Sequence, residues 1–101
     1  MRSEVWWGEV PDAKPRPYLI LTRDEAIPVL RRILVAPITR TVRGIPSEVP
    51  LGPPEGLSAD CVASFDNLVT LHKSMLVRRM GALALERRDE PCHALRAATD
   101  C

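Results

Sequence analysis

A chain of 101 residues and 11.2 kDa, 46% hydrophobic and 27% charged, has the makeup of one modest folded domain, which excludes a disordered chain or two separate cores. No apolar run approaches the roughly 20 residues a membrane span needs, and the Met1 to Trp7 start lacks a secretory apolar region, so no membrane association and a cytoplasmic location are expected. The net charge of +1 hides an uneven distribution: residues 14–43 carry seven Lys/Arg against two acids, and residues 44–66 carry four acids and no base, a pattern that a phosphate-facing patch or a solvated face would equally produce.

Residues 5 to 10 read as a first strand, containing Trp6 and Trp7, with Gly8 allowing a bulge or close approach. After the Pro11 to Pro15 connection, residues 17 to 22 (Pro-Tyr-Leu-Ile-Leu-Thr) form a second strand, which Pro17 must begin or hold at an edge because it has no N–H to donate. Residues 24 to 30 suit a short turn or helix broken at Pro28. Residues 33 to 38 are continuously apolar and too short for a typical helix, hence a buried central strand. Residues 47 to 51 alternate as a half-exposed strand would, Gly52 to Gly56 is a loop, residues 60 to 65 are another apolar strand ended by Asp66 and Asn67, and residues 70 to 80 hold one or two strands around Lys73 and Ser74. The C-terminal segment changes period: Leu85, Cys92, Leu95 and Ala98 fall near one helical face, with Pro91 either kinking the helix or occupying its first turn. Five to seven short strands and a terminal helix predict a mainly β chain with added α (α+β), a small, strongly bent sheet or barrel forming a single domain over residues 1–101.

Cys61, Cys92 and Cys101 contain no CxxC pair and form no ligand cluster with His72 and His93. Buried or tail thiols are therefore expected, with no metal and no cofactor.

The ordered segments EVWWGEV, RPYLILT, ILVAPITRT, SEVPLG, DCVASFDNLVTLHKSML and MGAL, followed by a helix, resemble the MazF/PemK family of toxin endoribonucleases from about Ser3 to about Ala98. The resemblance implies an SH3-like barrel with a C-terminal helix, a homodimer, and a cognate antitoxin that lays an extended segment along the groove. It also implies cleavage of single-stranded RNA without a metal, leaving a 2′,3′-cyclic phosphate and a 5′-hydroxyl.

That chemistry needs a proton acceptor for the ribose 2′-hydroxyl, a proton donor for the departing 5′-oxygen, and positive charge for the phosphorane. Locally, Arg16 could be only a solvent-facing arginine before a strand, but the resemblance makes it the key cation, and a guanidinium can hold two phosphate oxygens while staying charged. Thr39, closing the third strand, is the implied hydroxyl donor. Asp66 stands where some relatives carry a carboxylate base, or it is a turn former. Those relatives have an arginine two positions earlier, where this chain has Ser64; many members of the family also have a longer loop before the RP motif, and the glutamate that some of them use there has no counterpart here.

Arg23, Arg40 and Arg43 are candidate phosphate contacts, and Asn67 adds a polar contact for RNA. Trp6, Trp7 and Phe65 could stack on unpaired bases or fill the core or a dimer interface. A non-catalytic SH3-like module that binds nucleic acid or protein, including a gyrase-directed toxin of the CcdB type, is the alternative function.

Overall fold

The computed structural model describes residues 1–100. Seven strands run in the order β1 (Glu4–Gly8), β2 (Arg16–Ile20), β3 (Arg32–Thr39), β4 (Glu48–Leu51), β5 (Cys61–Ser64), β6 (Val69–His72) and β7 (Leu76–Ala82), followed by helix α1 (Glu90–Thr99). Short 3₁₀ turns at Pro53–Glu55, Phe65–Asn67, Lys73–Met75 and Leu85–Arg87 make the corners. The described residues contain no helix long and apolar enough to cross a membrane.

Every strand pair is antiparallel, in the spatial order β4-β5-β3-β2-β1-β7. β3 is the pivot. One of its edges pairs with β2, while the other pairs with β6 along Arg32–Val35 and with β5 at Ile38 and Thr39. Two partners on one edge divide the sheet and curl it into a half-barrel, which matches the expected small, bent barrel and the expected five to seven strands.

The curl puts apolar layers on both faces of β2 and β3. Leu19, Ala36 and Ile38 join the larger core with Val5, Val49, Ala63, Phe65 and Leu83, whereas Tyr18, Ile20, Ile33 and Val35 join a second cluster with Leu71. Alternate residues thus enter alternate layers, so residues 33 to 38 read as a continuous apolar run.

The helix differs from its expected face. Pro91 lies in the first turn of α1, one of the two expected arrangements. The buried face, however, is Pro91 and Ala94, with Ala98 half-buried, while Leu85 is 72% exposed and Leu95 and Cys92 are also exposed. Leu85 belongs to the preceding 3₁₀ turn, so the helical phase starts at Glu90 and small residues at i, i+3 and i+7 meet the sheet. Of the cysteines, Cys61 is buried and Cys92 exposed; Cys101 lies outside the described residues.

An ion cluster ties the corners together. Glu55 is buried; its Oε1 accepts the Gly52 N–H at 2.6 Å, and its Oε2 lies 3.4 Å from Arg87 Nη1. Arg87 also donates to the Pro50 carbonyl at 2.6 Å and to both oxygens of Glu90. The hydrogen bond to Glu90 raises the Arg87 pKa, and the same contact lowers that of Glu90. Arg87→Ala would leave the Glu55 carboxylate buried without its cation, and a loss of about 2–3 kcal/mol is expected, read as a melting temperature lower by roughly 10 °C. An unchanged melting temperature would show the cluster to be incidental.

Candidate active site

β2 and β3 pair with Tyr18 opposite Pro37, Leu19 opposite Ala36 and Ile20 opposite Val35. Continued two residues outward, the same register sets Arg16, the first residue of β2, opposite Thr39, the last of β3. Directly opposed residues of an antiparallel pair share a face and hold their Cβ atoms roughly 5 Å apart. Farther across the sheet, Ile38 faces Ala63 and Glu48 faces Ser64, so Ser64 and Glu48 continue the row that begins at Pro37 on this same face. The result is a cleft of about 210 Å³ lined by Arg16, Pro37, Thr39, Thr41, Arg43, Glu48, Ser64 and Asn67.

Its polar groups are arranged for an anion with a proton to lose. The Arg16 guanidinium is exposed and forms no hydrogen bond or ion pair with any described residue. Thr39 Oγ1 accepts the Thr41 N–H at 3.1 Å, which leaves its own O–H free to donate into the cleft. Ser64 Oγ similarly accepts from Asn67 Nδ2 at 2.9 Å. Arg43 brings a second guanidinium on the β3–β4 connection, and Glu48 Oε1 secures that connection by accepting the N–H groups of Arg43 and Gly44 at 3.1 and 3.0 Å.

Arg16 also walls a neighbouring cleft of about 250 Å³, with Trp7, Pro15, Pro17, Ile38, Arg40, Leu57, Ser58, Cys61 and Met80. There Arg40 Nη2 donates to Ser58 Oγ at 3.3 Å. One arginine therefore separates a polar hollow from a mainly apolar one, an arrangement suited to a phosphate beside a base.

Of the residues expected from sequence, Arg16, Thr39, Arg43 and Asn67 share the polar cleft, and Arg40 lies in the adjoining one. Four others are placed elsewhere. Asp66 is outside the lining: its Oδ2 accepts from Ser47 Oγ at 2.5 Å, so the carboxylate fastens the 3₁₀ turn to the residue before β4. Phe65 is 3% exposed within the larger core and has no face for a base. Arg23 follows the far end of β2, roughly 20 Å along the chain from Arg16 at strand rise.

Trp6 packs against the second apolar cluster, its Nε1 donating to Glu4 Oε1 at 3.0 Å. Burial pushes the Glu4 carboxyl up, but hydrogen bonds from Trp6, the amino terminus and Arg79 outweigh it and hold the pKa at about 2. Trp7, on the other face of β1, lines the apolar cleft that Arg16 also walls.

Sequence reasoning missed Glu48 and Thr41. The period-two reading of residues 47 to 51 could have flagged Glu48, since it sets Glu48 opposite in facing to the buried Val49. It could not say which solvent-facing surface was the cleft.

Comparisons with known proteins match the chain over nearly its whole length. The family model described as PemK-like, MazF-like toxin of type II toxin-antitoxin system matches residues 1–99. The probable endoribonuclease MazF5 of Mycobacterium tuberculosis is 44% identical over 101 residues, covering 99% of this chain and 93% of that one. The solved structure of Mycobacterium tuberculosis toxin MazF-mt6 superposes with a TM-score of 0.89 at 37% identity, covering 96% of each chain. An endoribonuclease from a mycobacterial species, solved in complex with its cognate antitoxin, shares the fold at a TM-score of 0.84 and 24% identity, over 99% of this chain and 94% of that one.

Proposed function

Since this chain belongs to the PemK-like, MazF-like toxin family, we propose that it is the toxin of a type II toxin-antitoxin system and acts as a sequence-selective endoribonuclease on single-stranded RNA, slowing translation and growth. The observation that carries the mechanism is the placement of an unpaired guanidinium, Arg16, across one strand pair from a free-donating hydroxyl, Thr39.

A phosphodiester seated in the cleft has two non-bridging oxygens that the Arg16 fork can hold together, while Thr39 Oγ1–H donates to one of them. As the 2′-oxygen attacks, charge grows on those oxygens, and donors already in place stabilise the phosphorane more than the ground state. The positive charge comes from side chains, so the reaction is expected to proceed without a divalent metal. In-line attack by the 2′-hydroxyl yields a 2′,3′-cyclic phosphate and a 5′-hydroxyl. Arg43 and Arg40 neutralise flanking phosphates, and Trp7 offers a ring for an unstacked base beside the cleaved bond. In this reading Asp66 and Phe65 maintain the walls of the site.

The same reading makes a cognate antitoxin the protein partner, a homodimer the working assembly, and the cytoplasm, where transcripts are, its place of action. The antitoxin-bound fold relative supports the first of these. A non-catalytic module is not favoured, because the chain matches the probable endoribonuclease MazF5 over nearly its whole length and the endoribonuclease MazF3 over 84% of its length.

Incubation of purified protein with single-stranded RNA in excess EDTA, with both cut ends mapped, tests the proposal. Cleavage leaving cyclic-phosphate and 5′-hydroxyl ends is the expected result. No cleavage, cleavage only after a metal is restored, or 5′-phosphate ends would each overturn the mechanism.

A further inference from the structure

The mechanism still lacks a group to take the 2′-hydroxyl proton, and the geometry points to Glu48 as that general base. The inference rests on the endoribonuclease reading above. Among the described residues Glu48 is the only acidic side chain lining the polar cleft. The carboxylate expected from sequence, Asp66, is held by Ser47, and Glu55 and Glu4 are engaged in ion pairs away from the cleft.

Glu48 is also anchored as a base should be. Oε1 accepts two consecutive backbone N–H groups, those of Arg43 and Gly44. Gly44, at φ +69°, supplies the left-handed turn that lets both N–H groups converge on one oxygen. Oε2 has no hydrogen-bond partner among the described residues. One oxygen therefore fixes the carboxylate while the other is left to accept a proton. Pairing carries the base across the sheet: Glu48 on β4 faces Ser64 on β5, and β5 pairs with the end of β3 that bears Thr39. Two strand spacings, roughly 10 Å between backbones, separate the strand of Glu48 from that of Thr39, and three, roughly 15 Å, from that of Arg16, before the side chains reach into the cleft they share.

In the step itself the ribose O2′–H bond breaks, its proton passes to Glu48, and the O2′–P bond forms as P–O5′ breaks. The departing 5′-oxygen takes a proton from water at the open cleft, and the hydroxide so formed recovers the proton from Glu48. Atoms and charge balance with no other reactant.

Glu48→Gln is the discriminating variant, because the amide oxygen still accepts from Arg43 and Gly44 but cannot serve as a base. Single-turnover cleavage is expected to fall by roughly 10²–10⁴-fold. Binding of an RNA carrying a 2′-deoxynucleotide at the cut site should stay within about twofold, the melting temperature should be unchanged, and Glu48→Asp should recover part of the rate. If Glu48 only secures the loop, Glu48→Gln will cleave within tenfold of wild type while Glu48→Ala is impaired, and the inference is overturned. Loss confined to KM would overturn it as well. An inactive Arg16→Ala beside a fully active Glu48→Gln would sink this assignment and leave the endoribonuclease reading standing, whereas inert wild-type protein would remove both.

Discussion

Arg16→Ala is expected to lower single-turnover RNA cleavage by about 10³-fold and to leave the melting temperature within a degree or two. The catalytic half of this expectation comes from the chemistry of the phosphorane. Its extra negative charge appears on the oxygens the guanidinium holds, and removal of one preorganised donor from such a site commonly costs 10²–10³ in rate. A guanidinium supplies two parallel donors and a full charge, which favours the upper end of that range. The structural half comes from isolation: Arg16 is exposed at the mouth of β2 and no described residue depends on it for a hydrogen bond or ion pair. Surface substitutions of this kind change stability by only about 0.5 kcal/mol. Arg16→Lys should recover only a small part of the rate, since an ammonium is a point charge without the planar fork. Cleavage by Arg16→Ala within tenfold of wild type would remove Arg16 from the reaction.

The second large effect concerns stability. Gly56 and Gly81 bring two backbones into contact where the turn after Pro53–Glu55 crosses β7. A Cβ built on Gly81 would lie 2.2 Å from the Glu55 carbonyl oxygen, and one on Gly56 would lie 2.0 Å from that of Met80. Both obstacles are main chain, so no rotamer relieves the clash. Gly56 also has φ +89°, a conformation unfavourable to any residue with a Cβ.

Alanine at either position is expected to destabilise by about 3 kcal/mol or more, lowering the melting temperature by roughly 12–20 °C. Gly44 provides the contrast. It too has positive φ, at +69°, but nothing lies within 4 Å of its Cβ position, so Gly44→Ala should cost only the conformational penalty of about 1–2 kcal/mol. Equal losses at Gly44 and Gly81 in thermal unfolding would show that the crossing is not tightly packed. Because Leu57 and Met80 flank the crossing and also wall the Trp7 cleft, a protein weakened there should lose RNA affinity before it loses the Arg16–Thr39 pairing.

The strands were legible in this sequence because their signals are local. Branched and aromatic runs bounded by Pro, Gly and Asp mark the first five within a few residues, residues 70 to 80 left one or two strands open where β6 and β7 lie, and the unbroken apolar stretch of β3 reports burial on both faces. The same locality explains the error at the C terminus. A periodic pattern extended back to Leu85 assumes one helix, whereas a 3₁₀ turn precedes α1 and resets the phase at Glu90.

Arg16 and Thr39 were legible through the ordered motifs at two strand ends. Trp6 and Trp7 are adjacent, and only the packing around β1 decides which of them joins a core cluster and which lines a cleft beside Arg16. Asp66 and Glu48 differ in the same way. Both are acids beside a strand end, but the Phe65–Asn67 turn directs Asp66 to Ser47, while cross-strand pairing with Ser64 puts Glu48 in the cleft.

By itself, then, the sequence determined the succession of elements and the curled β architecture they imply, and the family resemblance singled out the cation and hydroxyl on which the proposed reaction turns. Tertiary structure alone decided which polar residues share a cleft. A strand's local pattern specifies which residues alternate but not which of its neighbours they meet, and that is settled by register between segments far apart in the chain: Tyr18 across from Pro37, which carries Arg16 toward Thr39, and Glu48 across from Ser64.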